Sequence, residues 1–473
     1  MQLNKFKIIS IFILLLVILA SCEAKKQQPV EDSSLKKIIK KNKIVAMTGY
    51  NAYSYFIYKG KTMGYEYELL QRLEKHLGVK VEIKVVKRLD KMIEMLNSGE
   101  GDLIASNITV TNERKKSLDF TTHLNKTKQV LVQRLPKDWR KKTLHNIDKL
   151  LIKDPINLEN KTVYVRSSSA YATRLKNLAN EIGSEINIVE ADDSVSTEDL
   201  IRQVAEGKID YTISDKNIAE LNKAFFDNID VETAISFTQK IAWVVKKENK
   251  ELLNKINEWI DKLKKTKDFH VIYDRYYKQR RYYKYRRRSQ YFLTKNGKIS
   301  PYDNFVKKYA EKNNFDWRLI SSVIYVESGF DPTVKSWAGA IGLMQLLPET
   351  AKSYGEFDLT NPEDNIMVGV EYLSWLDKYW AKKIVNETER TNFILASYNI
   401  GFGHIDDAQR LAEKYGADQN VWKNNVENYL LKKSNPVFYN DDVVRNGYCN
   451  CIETINYVND VHQKYEQYKQ FID

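Results

Sequence analysis

The chain has 473 residues and a 43% hydrophobic share, enough for two to four domains that each bury a core. Its formal net charge of +13 points to polyanionic partners: nucleic acid, an anionic membrane surface or an acidic polymer. Three cysteines (Cys22, Cys449, Cys451) and six histidines exclude a disulfide framework in the first 400 residues and offer no zinc-site spacing, so neither a metal nor another cofactor is expected.

Lys5 and Lys7 precede an apolar run from Ile8 to Leu19, and Ala20, Ser21 and Cys22 follow. A basic start, a short apolar core and small residues at its end predict a secretory signal peptide over 1–21. Twelve helical residues span about 18 Å, too little for a bilayer core. Leu19-Ala20-Ser21-Cys22 resembles a bacterial lipobox, which implies lipid modification of Cys22. Residues 22–35 are polar and read as the lipidated cysteine with its tether. The expected address is the cell envelope, with the chain lipid-anchored at a membrane, the outer membrane facing the periplasm being favoured. That address excludes nucleic acid as a partner.

Residues 36–277 alternate short apolar strands with helical stretches. Strands are predicted at Ile44–Met47, Val79–Val86 and Leu103–Ala105, and a helix at Glu66–Leu77 closed by Gly78. Such alternation gives an α/β sheet whose ligands sit at strand ends and helix N-termini. The segment 99–121, GEGDLIASNITVTNERKKSLDFT, resembles the periplasmic amino-acid-binding proteins of bacterial solute-binding family 3. The resemblance implies a two-lobed domain in which Asn107, Thr109 and Arg114 hold a ligand carboxylate. The planar guanidinium fork suits that task. In the second lobe it implies ligand contacts from Ser168 and Ser169 after the strand at Val163-Tyr164-Val165, and an amine-binding carboxylate at Asp215. Ser167 stands where the family has glycine. Tyr53, Tyr55 and Phe56 stand near its cleft-lining Pro-Phe pair. The expected ligand is an amino acid or a wall-derived peptide.

Residues 278–300 are rich in Lys, Arg and Tyr, with no acid in the run 276–292, and read as a basic linker. Interleaved aromatics and cations in an exported protein suit anionic headgroups or wall polymer, although a solvated hinge has the same composition.

In residues 301–473, Asp316 is placed to cap a helix starting at Trp317, with Leu319, Ile320, Val323 and Ile324 on one face and Gly329 as the stop. Glu327 therefore falls in the last turn of an apolar helix. The helix dipole disfavours negative charge there, and desolvation adds to it, so the carboxyl should hold its proton. The order Glu327-Ser328, then Ser336-x-Ala338-Gly339-Ala340-x-Gly342-Leu343-Met344-Gln345, then Ala396-Ser397-Tyr398-Asn399-x-Gly401, then Glu453-Thr454-x-x-Tyr457-Val458 resembles the lytic transglycosylases of the lysozyme-like superfamily. The resemblance implies a mainly all-α lysozyme-like domain that cleaves peptidoglycan glycan strands with Glu327 as acid and base. Ser328, Ser336, Gln345, Tyr398, Asn399 and Tyr457 would line its substrate groove. Met344 reads as packing under the groove, Asp331 as a turn residue, and Cys449 and Cys451 as free buried thiols. A glycan-binding domain without catalysis and a hydrolytic lysozyme stay open as alternatives.

Overall fold

The computed structural model describes residues 33–247, 249–289, 292 and 297–472. Cys22 and the signal segment lie outside the described residues. The last part of the expected tether is already helical, in Ser33–Lys41.

The front domain is a two-lobed α/β structure. In the first lobe the strands run in the order Lys80–Val85, Lys43–Thr48, Leu103–Thr109, Gln239–Lys246 and Leu118–Phe120, with Asn125–Thr127 also paired to Gln239–Lys246. Lys43–Thr48 is parallel to both of its neighbours, and Gln239–Lys246 returns antiparallel after the chain has visited the second lobe. The second sheet runs Asn187–Glu190, Thr162–Val165, Tyr211–Asp215, Gln129–Arg134 and Ile229–Asp230. Leu103, Ile104 and Ala105 are fully buried, as expected of a central strand covered on both faces. Tyr65–Leu77 buries Leu69, Leu70 and Leu73 and ends on Gly78 in the left-handed conformation.

The basic run is not a free linker. Arg280–Arg288 is a helix with Tyr283 and Arg286 buried. The Tyr283 hydroxyl donates to Asn222, Arg287 pairs with Glu198, and Arg286 lies over the Phe56 and Tyr276 rings. Arg286 and Arg287, which would repel one another in a solvated segment, are met by aromatic faces and a carboxylate. The connector is thus packed onto the front domain up to Ser289.

The C-terminal domain is mainly helical. Asp303–Lys312, Trp317–Ser328, Pro362–Ala381, Glu387–Ile400, Phe402–Lys414 and Ile452–Lys469 enclose one apolar core that includes Ile320, Val323, Trp380, Phe393 and Val461. A buried ion pair, Lys433 with Asp407 at 2.7 Å, anchors the stretch before the last helix, where Asp407 also accepts the backbone N–H groups of Arg445 and Asn446. Cys449 and Cys451 are joined in a disulfide rather than free. Two residues apart in a strand, Cα atoms are about 6.6 Å apart. Here the chain bends before the last helix and brings them to 5.4 Å, inside the usual disulfide span.

The two domains share a joint. The hairpin Phe56–Tyr58/Lys61–Met63 inserts against Ile452–Lys469, and Ile57 is buried in the C-terminal domain's core. The Tyr468 hydroxyl donates to the Gly60 carbonyl at 3.0 Å, and Thr62 donates to Gln467 at 2.7 Å. Gly60 has φ +74°, and a Cβ there would lie 2.3 Å from the Phe330 ring, so only glycine fits. Beside the joint is a cavity of about 690 Å³ lined by Lys61, Tyr67, Arg72, Arg275 and Tyr325 among others; it does not include Glu327. Among the described residues, no helix is long and apolar enough to cross a membrane.

Candidate active site and solute cleft

Glu327 sits one residue from the end of Trp317–Ser328. Asp316 caps that helix by accepting from the Arg318 N–H, and Gly329 ends it in the left-handed conformation, as the sequence predicts. Burial pushes the Glu327 carboxyl up to about 7, while the Tyr457 hydroxyl beside it pulls the other way. Desolvation wins because the helix end supplies carbonyls, not N–H donors, to this carboxyl. The Tyr457 hydroxyl is buried beside this carboxyl, and among the described residues it makes no other contact that would satisfy it. Tyr398 also feels the carboxylate, and its hydroxyl donates to the Met344 carbonyl at 2.7 Å.

The remaining predicted residues gather around the same carboxyl's helix and loop, mostly as its framework. The Ser328 hydroxyl donates to the Leu343 carbonyl at 2.8 Å, tying the helix end to the loop 334–346. Ser336 accepts the Ala340 N–H at 3.0 Å. Gln345, at φ +49°, donates its amide to the carbonyls of Gly342 and Val334. Its amide nitrogen therefore shapes the loop. Asn399 is exposed and accepts from Thr454 at 2.8 Å, with its amide nitrogen unused among the described residues. Met344 is buried against Gly369. Asp331 accepts from the N–H and hydroxyl of Thr333 in a turn.

Sequence reasoning missed Asn365. Fully inside the fold, it accepts the Met344 N–H and donates to the carbonyls of Ile341 and Leu359. Its signal is a polar residue on the inward face of an otherwise apolar helix, next to Ile366 and Val368.

In the front domain, Arg114 spans the cleft. Its guanidinium donates to the Thr109 carbonyl on one lobe and the Ser168 carbonyl on the other, at 3.2 and 3.3 Å. Asn107 crosses the same gap to Asp215 at 2.9 Å. Asp215 is buried, its second oxygen has no hydrogen-bond partner among the described residues, and its carboxyl is pushed up to about 7 by burial. Ser168, not Ser167, takes the left-handed conformation at φ +56°, so the loop keeps its turn without glycine. The Ser169 hydroxyl donates to the Arg166 carbonyl at 2.6 Å. Of the aromatic residues expected near the cleft, Tyr53 faces Asp215 and Tyr171. Tyr55 and Phe56 turn away to the domain joint, against Phe471 and Phe292.

Comparison with known proteins matches both halves. The Transglycosylase SLT domain family matches residues 304–421, and the bacterial extracellular solute-binding proteins, family 3, match 43–162 and 172–279. Membrane-bound lytic murein transglycosylase F of Desulfosudis oleivorans is 35% identical over 437 residues, 92% of each chain. The protein of that name from Pseudomonas fluorescens (strain Pf0-1) is 31% identical, covering 87% of this chain and 82% of its own. Among solved structures, the ancestral amino acid-binding protein AncCDT-1 is 24% identical with a TM-score of 0.42, covering 52% of this chain and 99% of its own. With relatives of one name aligned along nearly its whole length and both domain families present in order, the chain belongs to the membrane-bound lytic murein transglycosylase F family.

Proposed function

We propose that this protein is a peptidoglycan lytic transglycosylase that cleaves the bond between N-acetylmuramic acid and N-acetylglucosamine without water, with Glu327 as its single acid and base. The observation that carries this reading is the state of Glu327. Among the described residues only burial and the Tyr457 hydroxyl set its proton affinity, and no second carboxylate bears on it. Most glycosidases need a carboxylate pair, one to protonate and one to attack or to activate water. One carboxyl suffices when the nucleophile is part of the substrate. Glu327 gives its proton to the glycosidic oxygen as the C1–O bond breaks. The resulting carboxylate takes the proton of the muramic C6 hydroxyl, whose oxygen bonds to C1. A 1,6-anhydro ring forms and Glu327 is protonated again. Intramolecular attack supplies an effective concentration of up to about 10⁵–10⁸ M. A carboxyl held near 7 is suited to both proton transfers at neutral pH.

Ser328, Ser336, Gln345, Tyr398, Asn399 and Tyr457 are proposed to line the groove, Asn399 with its free amide toward an N-acetyl group. Residues 36–277 are proposed as a sensor domain, residues 278–300 as its connector and 301–473 as the catalytic domain. The unpaired oxygen of Asp215 and the guanidinium of Arg114 support a ligand with both an amine and a carboxylate, an amino acid or muropeptide. Asn107, Thr109, Ser168 and Ser169 would complete that site. Ligand there is proposed to modulate cleavage through the joint between hairpin 56–63 and the helix that carries Tyr457. Cys22 is proposed to carry the lipid that holds the protein in the envelope, with the outer membrane as the favoured location.

Mass spectrometry of digested sacculi tests the enzymatic reading. Anhydromuramic ends are expected. Reducing ends would make the protein a hydrolytic lysozyme, and no new ends would leave it a binding protein.

A further inference from the structure

The helix Pro362–Ala381 carries aromatic residues at the rim of its core, where Tyr372 and Tyr379 are half-buried and Trp375 is exposed. Tyr372, Trp375 and Tyr379 fall at i, i+3 and i+7 and share one face. The Tyr372 and Trp375 ring centroids are 6.2 Å apart, those of Trp375 and Tyr379 are 5.7 Å apart, and the planes differ by only 21° and 22°. Phe402, which opens the helix Phe402–Lys414 after the Ala396–Gly401 motif, touches Trp375 at 5.2 Å and Tyr379 at 5.1 Å. Trp375 is 41% exposed and Phe402 38%. At the near end the Tyr372 ring meets Tyr398 at 5.4 Å, and Tyr398 stands beside Glu327. An open aromatic row thus starts at the candidate catalytic carboxyl and continues for about 10 Å along the helix, from position 372 to 379. At the far end the Tyr379 hydroxyl and the Lys383 ammonium both bond Asp406, which gives the row a polar edge.

Exposed aromatic residues gathered in one patch leave apolar surface in water, a cost that a partner removes. A pyranose ring presents apolar C–H faces with hydroxyl and amide groups at its rim. Near-parallel aromatic faces with a carboxylate and an ammonium at their edge match that chemistry. An anionic lipid is a poorer match, since Lys383 is already held by Asp406. We propose that Tyr372, Trp375, Tyr379 and Phe402 form a glycan-binding track that holds sugars beyond the reacting pair and gives the enzyme a preference for long strands. The proposal rests on the transglycosylase reading above and adds to it which surface selects substrate length.

The test measures binding by calorimetry in full-length protein carrying Glu327→Gln, so that ligand is not consumed. Purified glycan strands are compared with a single disaccharide-peptide. Adding Trp375→Ala or Phe402→Ser should weaken binding of long strands by about tenfold, the order expected for one lost aromatic contact, and of the disaccharide-peptide by clearly less. Trp375→Phe should restore most of the loss, which separates stacking from damage to the fold, and Phe402→Ser keeps the test alive if Trp375→Ala does not fold. Equal affinity for long strands in the parent and in both folded variants overturns the track and leaves the transglycosylase reading standing. So does an equal loss at both lengths. A Glu327→Gln parent that binds no glycan of any length overturns both.

Discussion

The Tyr457 hydroxyl stands against the Glu327 carboxyl, and the same helix, one turn earlier, holds Asn399 through Thr454. The hydroxyl favours the charged form of Glu327, against the pull of burial. Tyr457→Phe should therefore raise the proton affinity of Glu327 further. The expected outcome is a loss of about ten- to a hundredfold in kcat/KM, the order of a hydrogen bond to a charged group, with the alkaline limb of the pH profile moved to higher pH. An unmoved limb would show that Tyr457 does not act on the carboxyl.

Glu327→Gln should reduce the release of anhydromuramic products by about 10⁴-fold or more, because one group serves as acid and then as base. Activity within tenfold of wild type would remove Glu327 from the mechanism. The variant also has a stability signature. The carboxyl is raised from 4.5 to about 7, so the folded state holds this proton more tightly than the unfolded chain. Its stabilising contribution is complete below the ordinary value and is lost as pH rises through about 7. Glu327→Gln should lose less stability than wild type between pH 5 and 8 in thermal melts.

Lys464 is buried at the domain joint, where its ammonium lies 4.0 Å from the centre of the Tyr325 ring and donates to Thr62. Burial pushes it down to about 7, with Asp460 opposing and Lys61 reinforcing the shift. The unfolded chain therefore binds this proton more tightly, and stability should climb as pH rises from about 7 towards the ordinary lysine value. Lys464→Met keeps the volume, removes the buried charge and should stabilise the protein at pH 7 by about 1–2 kcal/mol. The climb between pH 7 and 10 should flatten. A melting temperature that falls at pH 7 would show that the bond to Thr62 outweighs the desolvation.

Arg114→Ala should abolish the thermal shift that amino acids or wall-derived peptides produce in the front domain, because the two-point fork across the cleft is lost. Arg114→Lys should not restore it, since an ammonium is a point donor. A full shift in either variant would place the ligand elsewhere.

Cys22→Ser should release the protein from membranes in fractionation, because without the lipid only a short, uncleaved apolar segment remains. Retention through carbonate and high-salt washes would mean that another feature anchors the chain.

The sequence by itself determined the elements and the placing of the candidate acid, Glu327, in the last turn of its helix. Period-two and helical patterns marked the strands at 44–47 and 103–105 and the helices at 66–77 and 317–328, because each apolar face must find a core. Glu327 was legible because a carboxyl in the last turn of an apolar helix is costly without a use. What the tertiary structure decided are relations between distant segments, which local pattern does not encode. The basic run reads as a linker by composition, yet Arg286 and Arg287 find Phe56, Tyr276 and Glu198 far away in sequence. Cys449 and Cys451 read as free buried thiols until a bend before the last helix brings their Cα atoms to 5.4 Å. Gln345 reads as a substrate ligand, and the fold also engages its amide nitrogen with the carbonyls of Gly342 and Val334. Asn365, the joint at Gly60 and the aromatic row from Tyr398 to Tyr379 arise only when helices and hairpin meet, because packing and desolvation depend on what lies across the contact and not on what lies next in the chain.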